Sequence, residues 1–283
     1  MLPLVPDMAA ARRSLDFFLF WNIGGRRLET SIARIAAAEG IDLIILAECE
    51  VPTRELLAEL SAATGTEFTQ PYSNSAKLGI FTRFDPSAVT AVFDDASSRL
   101  TIRRVVVGEQ IDFLLAATHF HSRRNWSEDD QLIECTKLAA DISRIEAEFG
   151  HQRTLLVGDL NMNPFDKAVI SAAGLHGAMT AQVARRRSRV VAARTYPFFY
   201  NPMWGLFGDR TAGPPGTHYF DGAHVSYFWN MYDQVLLRPD IMDSLRELRV
   251  LEGDGTTRFL LPSGRFDPKT GSDHLPLFFR LDL

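Results

Sequence analysis

The stretch TLLVGDLN, residues 154–161, decides the fold prediction, because a strand-like apolar run leads directly into two polar side chains. Residues 154–157 form a short apolar run that is typical of a buried strand. Asp159 and Asn161 follow two residues apart, so in extended backbone their side chains point the same way. For an isolated D-x-N, an Asx turn ahead of Pro164 is the alternative.

Five other apolar runs are flanked by polar residues in the same manner. They span residues 16–20, 41–46, 111–117, 234–237 and 275–281. The polar residues at their ends are Asn22, Glu48, His119, Asp233, Asp273 and His274. Acids, amides and imidazoles at so many strand termini predict one rim where they converge. Such a set of side chains suits a hard divalent cation and a phosphate ester.

Length and composition favour a single globular domain over residues 1–283. The chain is 46% hydrophobic and 23% charged, which is ordinary for a soluble protein and sufficient for a sizeable core. Helix and strand patterns alternate without a Pro-, Gly- or Ser-rich linker near the middle. The net charge of -5 argues against a strongly basic nucleic-acid binder, although positive charge can still be local.

The two cysteines and the N-terminal segment predict a cytoplasmic protein with no membrane partner. Cys49 and Cys135 lack CxxC spacing, so they indicate neither a disulfide framework nor a zinc site. We interpret them as reduced, partly buried thiols. The apolar residues 17–21 follow Arg12 and Arg13, but they are too few to span a membrane and no small-residue cleavage site follows.

Helical periodicity predicts helices over 26–39 and 53–63 and a long amphipathic helix from Ser127, with Asp130 completing an S-x-x-D cap. A short helix is predicted to restart at 163–164 and to run through residue 172. The β-rich runs 100–107 and 110–118 flank Gly108-Glu109 and predict a hairpin. The predicted buried stripe of the long helix is Leu132, Ile133, Leu138, Ile142, Ile145 and Phe149.

Regular patterning is lost over residues 181–232, which hold a basic cluster and twelve aromatic residues. A long segment without regular structure is usually functional or partly disordered. One hypothesis is that it cradles a nucleic-acid backbone and stacks bases. The alternative is that its aromatic residues form their own small core. The basic cluster consists of Arg185, Arg186, Arg187 and Arg189.

Six motifs in order resemble the endonuclease/exonuclease/phosphatase superfamily, which has the DNase I-like fold. They span nearly the whole chain, and the pairing of G-D-L-N with a C-terminal S-D-H is fairly specific. The resemblance implies a four-layer α/β sandwich, in which two mixed β-sheets pack face to face with helices outside. The motifs are W-N-I-G-G at 21–25, I-L-A-E ending at Glu48, T-H at 118–119, G-D-L-N at 158–161, Y-D-Q-V at 232–235 and S-D-H-L-P at 272–276.

The resemblance also implies a bound Mg²⁺ or Mn²⁺ ion. Glu48 would be the main ligand and Asp273 the second carboxylate, while Asn22 would supply a neutral oxygen or hold a metal-bound water. A cation there would relieve the repulsion between a nucleophile and the anionic oxygens of a phosphodiester.

The remaining roles implied by the resemblance concern the water and the phosphate. Asp159 would orient or deprotonate the attacking water, and Asn161 would bind a phosphoryl oxygen. His274 would contact the phosphate or act as the base, with Asp233 as its carboxylate partner. His119 would face the phosphate from the other side and either neutralise charge or help to protonate the leaving oxygen.

Three further side chains near His119 have open interpretations. Arg123 and Arg124 either contact a phosphate away from the scissile bond or are solvated charges before a helix. His121 is either structural or faces the substrate.

The sequence therefore predicts a metal-dependent phosphoesterase, most favourably a nuclease that acts by direct water attack. A phosphatase or phosphodiesterase for small molecules is the first alternative. A non-catalytic binding protein that retains the fold is the second. The motifs are shared by all branches of the superfamily, so they do not separate these substrates.

Overall fold

The computed structural model describes residues 15–108, 111–122 and 126–283. The strands are β1 (Phe17–Asn22), β2 (Leu43–Ala47), β3 (Leu78–Thr82), β4 (Val89–Asp94), β5 (Leu100–Val107), β6 (Ile111–His119), β7 (Thr154–Asp159), β8 (Gly177–Ala178), β9 (Ser188–Val191), β10 (Arg194–Pro197), β11 (Phe199–Tyr200), β12 (His218–Phe220), β13 (Phe228–Asn230), β14 (Asp233–Leu237), β15 (Leu245–Val250) and β16 (Leu277–Leu281). The α-helices are α1 (Glu29–Glu39), α2 (Thr53–Thr64), α3 (Glu128–Phe149), α4 (Lys167–Ile170) and α5 (Ala181–Ala184), and short 3-10 helices span Pro86–Ala88, Pro202–Gly205 and Met242–Ser244.

Two mixed sheets form the centre of the fold. The first has the strand order β15-β16-β1-β2-β3, and the second has the order β4-β5-β6-β7-β14-β11-β8. Each sheet combines a parallel pair, β1 with β2 or β6 with β7, with antiparallel neighbours. The predicted pair of mixed sheets is therefore confirmed.

The alternation of side chains along β7 defines the layers. Leu155 and Val157 point into the core that includes Phe18 of the first sheet, whereas Leu156 packs in a second core with Leu138 of α3. Across the space between the sheets, the rings of Phe18 and Phe113 lie 6.4 Å apart. Helices α1 and α2 pack against each other, and α3 covers the seven-stranded sheet. These contacts give the predicted four-layer sandwich.

Helix α3 begins as predicted but buries a different stripe. Ser127 accepts a hydrogen bond from the backbone of Asp130, and the Asp130 carboxylate accepts one from the backbone of Ser127, so the capping box is complete. The prediction for Ile133 was wrong, because this side chain is 65% exposed. Gln131 is buried instead and donates from Nε2 to the carbonyl oxygen of Asn161 at 3.2 Å. A polar residue thus ties α3 to the loop after β7.

The strand directions bring the polar termini to one end of the sandwich. Because β1 and β2 are parallel, their carboxyl ends lie side by side, and β16 enters antiparallel to β1 at that same end. In the other sheet β6 and β7 are parallel, and β14 pairs with β7 so that Asp233 lies opposite Asp159. The predicted rim follows from this topology.

Gly158 permits the close approach of β6 and β7 beside this rim. A Cβ atom on Gly158 would lie 1.9 Å from the carbonyl oxygen of Thr118, which no side chain can tolerate. The missing side chain allows the register in which His119 lies next to Asp159. Glycine before the aspartate is therefore a packing requirement of the sheet.

The segment 181–232 is more regular than its sequence predicts. It contains α5, an antiparallel β9–β10 hairpin, and β11, which joins the seven-stranded sheet between β14 and β8. Phe199 of β11 is fully buried. These elements are two to four residues long, which is too short for a periodic pattern to reveal them.

Two further sequence predictions concern the cysteines and the membrane. Cys49 and Cys135 are both free thiols, with Cys135 buried and Cys49 partly buried, as predicted. Among the described residues, no helix combines the length and the apolar character needed to cross a membrane.

Candidate active site

Polar residues from both sheets line one open pocket of about 470 Å³. Seven of the eight residues that the sequence predicted to be catalytic or metal-binding lie on its wall, and the eighth, Asp233, lies behind His274. The lining residues are Asn22, Gly24, Glu48, Arg99, His119, Phe120, His121, Ser122, Asp159, Asn161, His218, Asp273 and His274.

Asp159 lies at the centre of the hydrogen-bond network and is almost fully buried. Its Oδ2 accepts a hydrogen bond from Nδ2 of Asn22 at 3.0 Å, and the Nε2 atoms of His119 and His274 lie 3.9 and 3.8 Å away. Burial raises the pKa of Asp159, so its carboxylate is a stronger base than that of an exposed aspartate. A buried, basic carboxylate at the floor of an open pocket is suited to accept a proton from water.

The pair Asp159 and Asn161 forms an Asx turn rather than the extended arrangement predicted from the sequence. The backbone N–H of Asn161 donates to Oδ1 of Asp159 at 2.8 Å, and Asn161 has a φ of 50°. The Asn161 side-chain amide donates to Oδ2 of Asp159 at 3.2 Å and to the carbonyl oxygen of Phe120 at 3.0 Å. The sequence offered the Asx turn as an alternative to a functional pair. The structure contains the turn, and both residues also line the pocket.

Glu48 presents a carboxylate at the mouth of the pocket with its side chain 46% exposed. Its Oε1 lies 3.1 Å from Nε2 of His119 and 3.4 Å from Nδ2 of Asn22. The hydrogen bond from His119 lowers the pKa of Glu48 to about 2, so the carboxylate is charged at neutral pH. A charged, accessible carboxylate is the kind of ligand that Mg²⁺ prefers.

The side-chain oxygen of Asn22, which the resemblance offered as a metal ligand or as the holder of a metal-bound water, is used within the protein. Its Oδ1 accepts a hydrogen bond from the backbone N–H of Gly24 at 3.0 Å, while its amide nitrogen faces Glu48 and Asp159. Asn22 therefore orients two carboxylates by donating to both. This orientation follows from the turn at Gly24, which has a φ of 57°.

His274 and Asp233 form the predicted pair. Nδ1 of His274 lies 2.8 Å from Oδ2 of Asp233, and both side chains are buried. Burial alone would lower the pKa of His274, but the carboxylates of Asp233 and Asp159 raise it to about 10. Nδ1 is engaged by Asp233, so Nε2 is the nitrogen that is directed to other partners, with Asp159 its nearest carboxylate.

Asp273 lies on the side of the pocket formed by the first sheet. Its carboxylate is exposed, and a Cβ atom on Gly24 would lie 3.3 Å from its Oδ1. The W-N-I-G-G turn thus approaches the S-D-H loop closely. Glycine is favoured at position 24 because there is little room for a side chain and because the backbone φ is positive. Two accessible carboxylates, Glu48 and Asp273, therefore flank the same pocket, and carboxylate oxygens are the ligand type that Mg²⁺ prefers.

His218 is a pocket residue that the sequence prediction missed. Nδ1 of His218 lies 2.9 Å from the backbone carbonyl oxygen of Asp273, and its ring stacks beside Tyr232 and lies 4.6 Å from the ring of His274. Burial and the neighbouring charge on His274 lower the pKa of His218 to about 4. One ring nitrogen each of His218 and His274 and a carboxylate oxygen of Asp273 lie within 4.8 Å of one another. No strand pattern precedes His218, so nothing in the sequence marked it.

Arg99 is the second residue that was missed. Its Nη1 donates to the carbonyl oxygen of His119 at 3.0 Å, and His119 N–H donates back to its carbonyl oxygen at 2.9 Å. The predicted β5–β6 hairpin contained the signal. In the β5–β6 ladder the residue numbers of each pair add up to 218, as for Val107 and Ile111. Arg99 and His119 continue the same register one pair beyond the strand. Counting back along the hairpin therefore finds a cation beside the histidine.

Another residue near His119, His121, contributes to the wall. His121 lines the pocket and stacks on Trp126 with ring centroids 4.3 Å apart, so both interpretations of it, structural and substrate-facing, have a contact in their favour. Arg123 and Arg124 lie outside the described residues.

The arginine cluster, which the sequence offered as a cradle for a nucleic-acid backbone, does not line the pocket. Arg185 pairs with Asp243 at 2.6 Å and Arg187 pairs with Asp240 at 2.5 Å. Both aspartates follow Leu237, the end of β14 opposite to the end that carries Asp233. Arg186 and Arg189 are exposed, and like the other two arginines they are not among the residues that line the pocket.

Comparison with known proteins places this architecture in one family. The model of the Endonuclease/Exonuclease/phosphatase family matches residues 19–274. No curated protein sequence matches the chain significantly.

Solved structures show the same fold. Truncated Caenorhabditis elegans TDP2 matches with a TM-score of 0.56 and 16% identity over 94% of this chain and 97% of that one. D. rerio TDP2 complexed with a single-strand DNA product gives 0.55 and 16% over 94% and 98%. A family protein from Bacteroides thetaiotaomicron gives 0.58 and 13% over 94% and 96%. At these identities the likeness concerns the fold. The protein has the DNase I-like fold and belongs to the Endonuclease/Exonuclease/phosphatase family.

Proposed function

We propose that the protein is a divalent-metal-dependent hydrolase of phosphate esters and that its substrates are nucleic-acid phosphodiesters. The observation that carries this proposal is the convergence of carboxylates, imidazoles and an arginine on one open pocket. Carboxylates suit a cation and a nucleophilic water, whereas imidazolium and guanidinium groups suit a phosphate.

Glu48 and Asp273 are the residues that would hold the metal, with Asn22 fixing the Glu48 carboxylate by hydrogen bonding. Mg²⁺ and Mn²⁺ both suit oxygen donors of this type. When bound, the cation supplies charge that stabilises the phosphoryl oxygens during attack.

Asp159 is the proposed base for the attacking water. Its position is fixed by Asn22 and by the Asx turn to Asn161, so the carboxylate needs no rearrangement before it accepts a proton. Direct attack by water leaves no covalent enzyme intermediate, and in this proposal no side chain of the pocket acts as a nucleophile.

His274, His119 and Arg99 are the proposed anion-binding groups. Asp233 holds the His274 ring and favours its charged form, which can donate to a phosphoryl oxygen through Nε2. Arg99 supplies a second fixed positive charge beside His119. His119 is the group for protonating the leaving oxygen.

One finding favours the alternative substrate, a small phosphate ester. The arginine cluster at 185–189, which the nucleic-acid hypothesis assigned to the nucleic-acid backbone, pairs partly with aspartates at the far end of β14. The nucleic-acid proposal then depends on the open pocket and on the exposed aromatic residues of the hairpin formed by β12 and β13, whose first residue, His218, lines that pocket. The structure of D. rerio TDP2 holds a single-strand DNA product, and its likeness to this protein, which is a likeness of fold, also supports the nucleic-acid proposal.

A substrate panel tests this choice. Single-stranded and duplex DNA and RNA, nucleotides and phosphorylated sugars would be incubated in Mg²⁺ with wild type and with Asp273→Ala. We expect cleavage of a nucleic acid by wild type and a loss of at least about tenfold in the variant. Turnover of a small ester alone would support the alternative substrate. No turnover of any ester would support a binding protein that retains the fold.

A further inference from the structure

The exposed aromatic residues are concentrated beside the pocket. Among the described residues, the exposed aromatic side chains are Tyr72, Phe220, Tyr227 and Phe228, so three of four belong to the β12–β13 hairpin. They are 45%, 60% and 53% exposed in the order Phe220, Tyr227 and Phe228. We refer to these three residues as the aromatic shelf. Exposing three large rings in one place is costly, which indicates a binding role.

The shelf is continuous with the pocket. β12 begins at His218, whose side chain lines the pocket, and Phe220 lies two residues further along on the same face of the strand. Two residues advance a strand by about 7 Å. Phe228 lies directly opposite Phe220 in the ladder. A group attached to a phosphate in the pocket would therefore reach these rings.

The other face of the hairpin is already occupied. Tyr219 and Trp229 form the neighbouring cross-strand pair with their rings 5.5 Å apart, and Trp229 lies 5.7 Å from Phe266. The guanidinium of Arg265 lies over Tyr219 at 5.6 Å. These contacts anchor the hairpin on the protein. The rings of Phe228 and Tyr227 each have one aromatic neighbour, Tyr219 at 6.3 Å and Phe165 at 5.1 Å, and still leave more than half of their surface exposed.

Local hydrogen bonds hold the shelf in shape. Ser226 Oγ donates to the carbonyl oxygen of Phe220 at 2.6 Å and accepts from the backbone N–H of Phe228 at 3.0 Å. Phe228 has a φ of 62°, which is unusual for a bulky residue. The ring is thus kept in position by a strained backbone that Ser226 supports, and a preformed surface costs less entropy on binding.

The chemistry of the shelf selects its ligand. Residues 217–230 contain no lysine or arginine, and Arg265, which lies over Tyr219, is paired with Asp221, so the hairpin itself brings no unpaired cation to a phosphate. Flat aromatic rings favour a flat, largely uncharged partner, and a nucleobase has that character once it is unpaired. Arg99 and His274 supply the charge for the phosphate within the pocket itself.

We propose that the aromatic shelf stacks an unpaired nucleobase next to the phosphodiester held in the pocket, which makes single-stranded nucleic acid the preferred substrate. This inference rests on the proposed function. Base pairing would bury the face of the base that the shelf needs, so duplex substrates should bind more weakly.

The test uses two fluorescent single-stranded DNA oligonucleotides with the same number of phosphates. One carries normal bases, and the other carries abasic nucleotides throughout, so only the bases differ. Binding would be measured by anisotropy in EDTA for wild type, for the double variant Phe220→Ala/Phe228→Ala and for Tyr72→Ala as an exposed-aromatic control. Phe220→Tyr, which keeps a ring, serves as the conservative variant.

We expect wild type to bind the normal oligonucleotide at least about tenfold more tightly than the abasic one. The double variant should reduce that ratio to near one, whereas Tyr72→Ala and Phe220→Tyr should keep it. An unchanged ratio in the folded double variant, or a ratio near one in wild type, would overturn the shelf proposal. If wild type meanwhile cleaves DNA in Mg²⁺, the proposed function survives that result, whereas no cleavage of any nucleic acid would remove both.

Discussion

Asp159→Asn is expected to lower kcat/KM by about 10²- to 10⁴-fold while leaving the fold intact. The amide has the same shape as the carboxylate but cannot accept a proton from the attacking water. Asp159 is 1% exposed and accepts hydrogen bonds from Asn22 and from both the backbone and the side chain of Asn161. Initial rates on the preferred substrate of the panel would measure the loss, and circular dichroism would check the fold.

The matched control is Asp129→Asn. Asp129 lies in the first turn of α3 with its side chain 82% exposed, where it pairs with Lys167 at 3.1 Å. The same chemical change there should leave the rate within about twofold, because an exposed ion pair contributes little. A loss smaller than about tenfold in Asp159→Asn would contradict its assignment as the base.

Glu146→Ala is expected to destabilise the protein by about 3–5 kcal/mol, the largest effect on stability that we predict. Glu146 and Arg238 form a bidentate pair with N–O distances of 2.8 and 3.2 Å, and both side chains are 2% exposed. Thr154 also donates to Glu146 at 2.7 Å. Removing the carboxylate would leave the guanidinium of Arg238 buried between α3 and β14 without its counter-charge.

Glu148→Ala provides the comparison from the same helix. Glu148 pairs with Arg144 at 2.8 Å, but these side chains are 53% and 48% exposed. Its loss should cost about 0.5 kcal/mol or less. Urea unfolding midpoints of the two variants would be compared with wild type, and equal midpoints for both would contradict the role assigned to the buried pair.

Much of the fold was predictable because its strands are long apolar runs. The six predicted runs correspond to β1, β2, β6, β7, β14 and β16, with boundaries shifted by at most two residues. Most of the predicted site could be found in the same way, because the polar residues at the ends of these strands lie together at one rim of the sandwich. The short strands of 181–232 were not predictable, because non-local pairing rather than local pattern forms them.

Side-chain orientation within the pocket was the other limit. The family resemblance implied that Asn22 offers an oxygen to a metal or holds a metal-bound water, whereas a turn at Gly24 uses that oxygen and directs the amide nitrogen inward. Similarly, four arginines in one segment suggested a phosphate-binding loop, whereas Asp240 and Asp243 pair with two of them away from the pocket. Such outcomes depend on partners distant in sequence.

The most direct test of the proposed mechanism is the metal dependence of cleavage of the preferred substrate by purified protein. Rates would be measured in Mg²⁺, after addition of EDTA and after Mg²⁺ is restored, for wild type and for Glu48→Gln. We predict that EDTA abolishes cleavage, that restored Mg²⁺ recovers it, and that Glu48→Gln needs at least about tenfold more Mg²⁺ to reach its half-maximal rate. Cleavage that persists undiminished in EDTA, or the same Mg²⁺ requirement in both proteins, would contradict a catalytic cation held by Glu48.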